Sequence, residues 1–155
     1  MASLTRIALN ADRIKEGAWV DVQVDGEPFQ VKIRGFTPSY RDALHKARQE
    51  AARAINRKKA PGADLVMADG LPPSVDEPIL GKVLADECFQ DVRGLKHSDD
   101  GPNVTADEFR SLLCDPEVGR VLMQLVQAAA IELMNARSGE IKSAVGNLET
   151  VSAGS

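Results

Sequence analysis

Residues 18–36 read AWVDVQVDGEPFQVKIRGF. Ala18, Val20, Val22 and Val24 alternate with Trp19, Asp21 and Gln23. Beyond Asp25-Gly26-Glu27-Pro28, the residues Phe29, Val31 and Ile33 alternate with Gln30, Lys32 and Arg34. A period of two on both arms is the signature of half-buried strands, and Asp-Gly between them favours a tight hairpin. A lone hairpin is marginal in water, so one face must be covered by something else in the chain.

Downstream, Tyr40, Ala43, Leu44, Ala47, Ala51, Ala54 and Ile55 fall on one stripe at helical spacing, which predicts a helix over 38–59. Thr37-Pro38 starts it, Ser39 with Asp42 offers an alternative capping box, and Ala60-Pro61-Gly62 stops it. Its Ala-rich stripe is expected to cover the hairpin. Residues 61–74 carry five Pro and Gly residues and read as a loop, with a short apolar piece at Leu65 to Met67. A second helix is expected over about 76–93. Ile79, Leu80, Val83, Leu84 and Cys88 lie inside it, Pro78 sits in its first turn and Gly94 is its stop.

Residues 96–104 read as a polar loop. Thr105 and Glu108 then open a helix over 106–113, and Asp115-Pro116 opens the last, over 116–137. Upstream of the hairpin, Met1 to Gly17 is weakly patterned, and Arg13 to Gly17 reads as the approach to a strand. The fold class is therefore α+β: an N-terminal hairpin or small antiparallel sheet packed by a basic helix, followed by a mainly helical part, with about four helices in all. Residues 1–137 are expected to form one such domain and 138–155 a loosely packed tail.

The 155 residues are 43% hydrophobic and only 4% aromatic, so aliphatic side chains must fill the one core that this length allows. No stretch is long and apolar enough to predict a membrane span. Met1 to Ile14 has no apolar run flanked by basic residues, so a reducing, cytosolic setting is expected. Cys88 and Cys114 both lie in apolar helical patterns and are expected as buried free thiols.

The residue sets that carry catalysis are missing. There is no phosphate-cradling Gly-rich loop and no dinucleotide fingerprint. His45 and His97 stand apart from Cys or acidic residues at ligand spacing and read as solvated. Counting an EF-hand from Asp99 puts Val104 where Gly is needed and Arg110 where the bidentate Glu belongs, so Asp99-Asp100-Gly101-Pro102-Asn103 reads as a turn before a capped helix. No catalytic residue, cofactor or metal ligand is assigned.

Two features point to binding. Residues 39–59 hold seven of the chain's 19 lysines and arginines but two of its 23 acidic residues, which puts a basic helix on an acidic body. Arg41, Arg48, Arg53 and Arg57 are its candidate docking residues, for an acidic protein rather than nucleic acid, because no aromatics interleave them for base stacking. The second feature is the last helix. From Val121 to Met134, eleven of fourteen residues are apolar. The stripe Val118, Leu122, Leu125, Val126, Ala129 and Leu133 satisfies an amphipathic helix. A second stripe, Met123, Ala130, Ile131 and Met134, is left for the core or for a partner.

In its order of pieces the chain resembles the tail assembly chaperones of long-tailed bacteriophages and phage-like particles. The resemblance runs over roughly 13–147. Glu16-Gly17-Ala18-Trp19-Val20-Asp21 leads into the hairpin, and Phe29 to Gly35 precedes a basic helix beginning near Tyr40. Leu84 to Leu95 (LADECFQDVRGL) resembles a helix ending in an acidic-X-Arg/Lys-Gly-Leu turn. A capped helix with Leu112-Leu113, then Asp115-Pro116 and finally Gly146-Asn147, complete the likeness. The chain departs from the pattern at Val92, where the family often has Trp, and at Asn103-Val104, where a Pro-Tyr-like pair is common.

The resemblance implies a non-enzymatic protein of the bacterial host cytoplasm, absent from the mature virion. Such a protein binds the long helical tape measure protein and keeps it soluble, then is displaced as tail tube subunits polymerise. Self-association stays open. A structural virion subunit (a head–tail connector or minor tail protein) and a nucleic-acid-binding regulator using the basic helix are the competing expectations.

Overall fold

The computed structural model describes residues 3–135, so the expected tail and the last two positions of the expected final helix lie outside the described residues. The protein is α+β. Strands β1 (Ala18–Val24), β2 (Glu27–Ile33) and β3 (Phe89–Arg93) form an antiparallel sheet in the order β1-β2-β3. Helices α1 (Leu4–Glu16), α2 (Pro38–Arg57), α3 (Pro73–Val83), α4 (Ala106–Leu113) and α5 (Gly119–Asn135) surround it.

The hairpin is the one the alternation predicts. Val24 pairs with Glu27 across the two-residue turn Asp25-Gly26, and both turn residues take positive φ (51° and 79°), the geometry that Asp-Gly favours. Pro28 therefore lies inside β2 rather than in the turn. It is tolerated because β3 pairs along β2 only as far as Gln30, so no neighbour requires its missing N–H. Val20 opposite Val31, Val22 opposite Phe29, and Val31 opposite Val92 bury one face. On the other face the Gln30 amide donates to Asp21 (2.6 Å), Arg93 donates to Gln30, and the Arg93 guanidinium lies 4.0 Å over the Trp19 ring.

α5 lies across β1 and β2 on the buried face. Its Val126, Ala129, Ala130 and Leu133 are buried, and the two alanines let its backbone come close to the sheet. α2 packs mainly on α3 and sends Tyr40 into the core, so most of the cover expected from its Ala-rich stripe is supplied by α5 instead. Arg48 of α2 holds Asp76 of α3 by a two-pronged ion pair at 2.7 and 3.0 Å.

The structure corrects the expected helix over 76–93 at both ends. It begins earlier, at Pro73, with Pro78 in its interior. The carbonyl that Pro78 leaves without a donor belongs to Ser74, which is exposed and can use water. At the other end the chain widens into a π turn over Leu84–Cys88 and then becomes β3. Helical periodicity hid this strand, because Leu84, Ala85, Cys88, Phe89 and Val92 are buried in both readings. Gly94, at φ 80°, ends the strand.

α1 is a further correction. The stretch read as an approach to a strand is a helix, capped by the Ser3 side chain accepting from the Arg6 N–H and stopped at Gly17 (φ 96°). At the other end of the chain, Asp115 accepts from the N–H groups of Glu117 and Val118, and the helix proper starts at Gly119 rather than at Pro116. Gly81 and Gly119 both face the Leu113 carbonyl so closely that an added Cβ would stand 2.5 and 2.7 Å from its oxygen, which locks α3, α4 and α5 at one point.

Candidate functional site

α1 is amphipathic but buries none of its residues. Leu4, Ile7, Ala11 and Ile14 share one face, and Leu4 and Ile7 are 85% and 60% exposed. A helix of this kind normally presses its apolar stripe onto the body. Here only the C-terminal turn is seated. The Gly35 N–H donates to the Ile14 carbonyl (2.9 Å), and an added Cβ on Gly35 would lie 2.5 Å from Ile14 Cγ2 and 2.9 Å from Met134 Cγ. Glycine at 35 is thus what lets α1, the β2–α2 link and the end of α5 meet.

That meeting point floors an open groove of about 760 Å³ between α1 and the start of α2. Ile14, Phe36, Pro38 and Met134 supply its apolar surface, with Lys15, Arg34, Arg41, Glu16 and Glu87 around it. The Phe36 N–H points at Met134 Sδ (3.3 Å), and the Phe36 ring stacks on buried Tyr40 with centroids 4.7 Å apart. Ser39 donates to Glu87 at 2.8 Å. Beneath lies Cys88, fully buried, its thiol directed at the Gly35 carbonyl (3.9 Å). Burial pushes that thiol up to about 12 and also raises the Tyr40 hydroxyl, so both stay protonated at neutral pH.

The four apolar candidates on the last helix separate. Met123 and Ala130 are buried and belong to the core; Ile131 and Met134 are exposed. Val118, expected inside, is outside at the first turn. The inward face is rotated from the expected stripe, because Met123 rather than Val118 meets the α3–α4 junction at Gly81. α5 is left with Val121, Ala128 and Ile131 exposed along one face, beside Met134 at the groove.

The four arginines separate as well. Arg41 reaches the groove. Arg48 is engaged with Asp76, and with Arg41 it borders a second hollow of about 480 Å³ that includes Leu44, His45 and Met67. Arg53 and Arg57 are exposed further along α2 and line neither hollow. Leu4, Ile7, Ile14 and Phe36 were not singled out from sequence; the spacing of three, four and three from Leu4 to Ile14 is the signal that marks the first three.

The remaining candidates fall as follows. Cys114 is exposed, a correction: α4 ends at Leu113, so Cys114 is a cap residue and not part of a buried stripe. His45 is exposed. His97 is exposed but not alone, because Val104 N–H to Leu95 and the Lys96–Asn103 bridge fold the loop back and bring His97 onto Glu108. Thr105 donates to Glu108, and with His97 it holds that carboxyl below the usual range. Among the described residues, no three His, Cys, Asp or Glu side chains are grouped to hold a metal, and no helix is long and apolar enough to cross a membrane.

Compared with known proteins, the chain matches no family model, no curated protein and no solved structure.

Proposed function

We propose that this chain is a non-enzymatic tail assembly chaperone that binds the tape measure protein and keeps it soluble while a phage tail is built. The observation that carries the reading is α1, an amphipathic helix whose apolar face is left open beside the exposed stripe of α5. Scattered apolar residues on a surface need no explanation, but a run of them along neighbouring helices favours a protein partner. A tape measure helix with apolar faces of its own is a partner of that kind. Association through apolar faces with few fixed polar contacts also leaves the complex reversible, which displacement by tube subunits requires.

Co-expression with the tape measure protein of the same genome tests the proposal. The expected result is that the partner becomes soluble only with this chain and that the two co-purify. If the partner is unaffected and the chain is instead found in purified particles, it is a structural subunit and the chaperone reading is wrong.

A further inference from the structure

We propose that the groove between α1 and the start of α2 seats an amphipathic helix whose apolar stripe is bordered by carboxylates. The inference rests on the reading that the chain binds a helical partner, and it states what that partner must present. The floor of the groove is apolar and fixed: Ile14 and Met134 close on Gly35, and Phe36 is held between Met134 Sδ and the Tyr40 ring. Beyond the groove, the exposed Leu4 and Ile7 carry the apolar face of α1 further along the same helix. From Leu4 to Ile14 the helix rises about 15 Å, nearly three turns of an opposing helix.

The rim selects the charge. Lys15, Arg34 and Arg41 are exposed and make no ion pair among the described residues. Of the two carboxylates at the groove, Glu16 and Glu87, the latter already accepts from Ser39. The chain as a whole is acidic, with a net charge of -4, so this rim runs against its surroundings. A helix with Glu or Asp beside its apolar stripe meets three cations there. One with Lys or Arg meets like charge at the same three points.

Two synthetic amphipathic peptides of equal length and identical Leu/Met stripe, one bordered by Glu and one by Lys, test the proposal on the full chain by fluorescence anisotropy. The Glu-bordered peptide is expected to bind at least about tenfold tighter at low salt, with the gap narrowing as salt is added. Its footprint should fall on the methyl groups of Ile14 and Met134 in NMR spectra. The triple variant Lys15→Glu, Arg34→Glu, Arg41→Glu should invert the preference, and unchanged circular dichroism shows that it is folded. Equal affinities, no binding of either peptide, or a footprint elsewhere would overturn the proposal. So would binding to phosphatidylglycerol vesicles in place of the peptide, or self-association that occupies the same face. Because the peptides carry no tape measure sequence, such a failure leaves the co-expression result standing, and a failure there leaves the peptide preference to be read on its own.

Discussion

Truncating Met123 and Ile131 to alanine should have opposite consequences, although both residues belong to one long apolar run. Met123 is 6% exposed, and its Sδ lies 3.4 Å from the Cβ position of Gly81, inside the junction of α3, α4 and α5. Removing such a side chain from a core costs about 2–5 kcal/mol. Ile131 is 49% exposed. Burying an Ile side chain completely is worth about 1.5–3 kcal/mol, so half-burial leaves roughly 1 kcal/mol or less to lose. With a urea slope of about 2 kcal/mol per molar, the unfolding midpoint should fall by about 1–2.5 M for Met123→Ala and by no more than about 0.5 M for Ile131→Ala. Trp19 fluorescence and far-ultraviolet circular dichroism follow the transition. Partner binding should show the reverse order, weakened by Ile131→Ala and retained by Met123→Ala where that variant is folded. Equal losses of stability would mean that α5 faces the sheet in another rotation, and the assignment of its outer stripe would fail.

Three further outcomes follow from the packing and the charges. Gly81→Ala and Gly119→Ala should each cost about 1–3 kcal/mol, because the atom they strike is the Leu113 backbone oxygen; a double-mutant cycle should show non-additivity, since both displace the same carbonyl. A thiol reagent such as dithionitrobenzoate should label Cys114 rapidly at pH 8 and Cys88 only as fast as the protein opens, because Cys88 is buried and its thiol titrates near 12; prompt labelling of both would contradict the placement of Cys88. The start of α4 should loosen in acid. Glu108 has a folded value below that of an unfolded glutamate, so its contribution is whole above the ordinary value and is lost as pH falls through the lowered one; amide exchange at residues 106–110 should rise over that interval and stay flat in Glu108→Gln.

What sequence disclosed, and what it hid, has a physical pattern. The hairpin and α2 were legible because each has a local signal that needs no tertiary partner: strict alternation around Asp25-Gly26, and Thr37-Pro38 before a 3.6-residue stripe. β3 was hidden because Leu84 to Val92 is apolar at spacings that suit a buried helix as well as a helix that widens and then becomes a strand; pairing with Val31 and Ile33 decides between them, and pairing is not local. α1 carries the spacing Leu4, Ile7, Ala11 and Ile14, but Leu9 falls off that face and blurs the stripe, and only Ile14 of the four packs against the core. Of the second stripe on α5, which sequence left open between core and partner, Ile131 and Met134 are at the surface and Met123 and Ala130 are in the core; a helix that is apolar nearly all round does not reveal which face turns inward.

The order of the elements along the chain sets the order in which the sheet can be completed during synthesis. β1 and β2 emerge together, but β3 follows some 55 residues later and α5, the cover of β1 and β2, comes last of the described elements. At roughly 5–20 residues per second, the face carrying Val20, Phe29, Val31 and Ile33 stays uncovered on the ribosome for several seconds. Those contacts are also distant in sequence, which makes their formation a slow part of folding. The growing chain therefore passes through a stage with an open apolar sheet of its own, and truncation before residue 119 should leave a product that aggregates instead of a smaller folded unit.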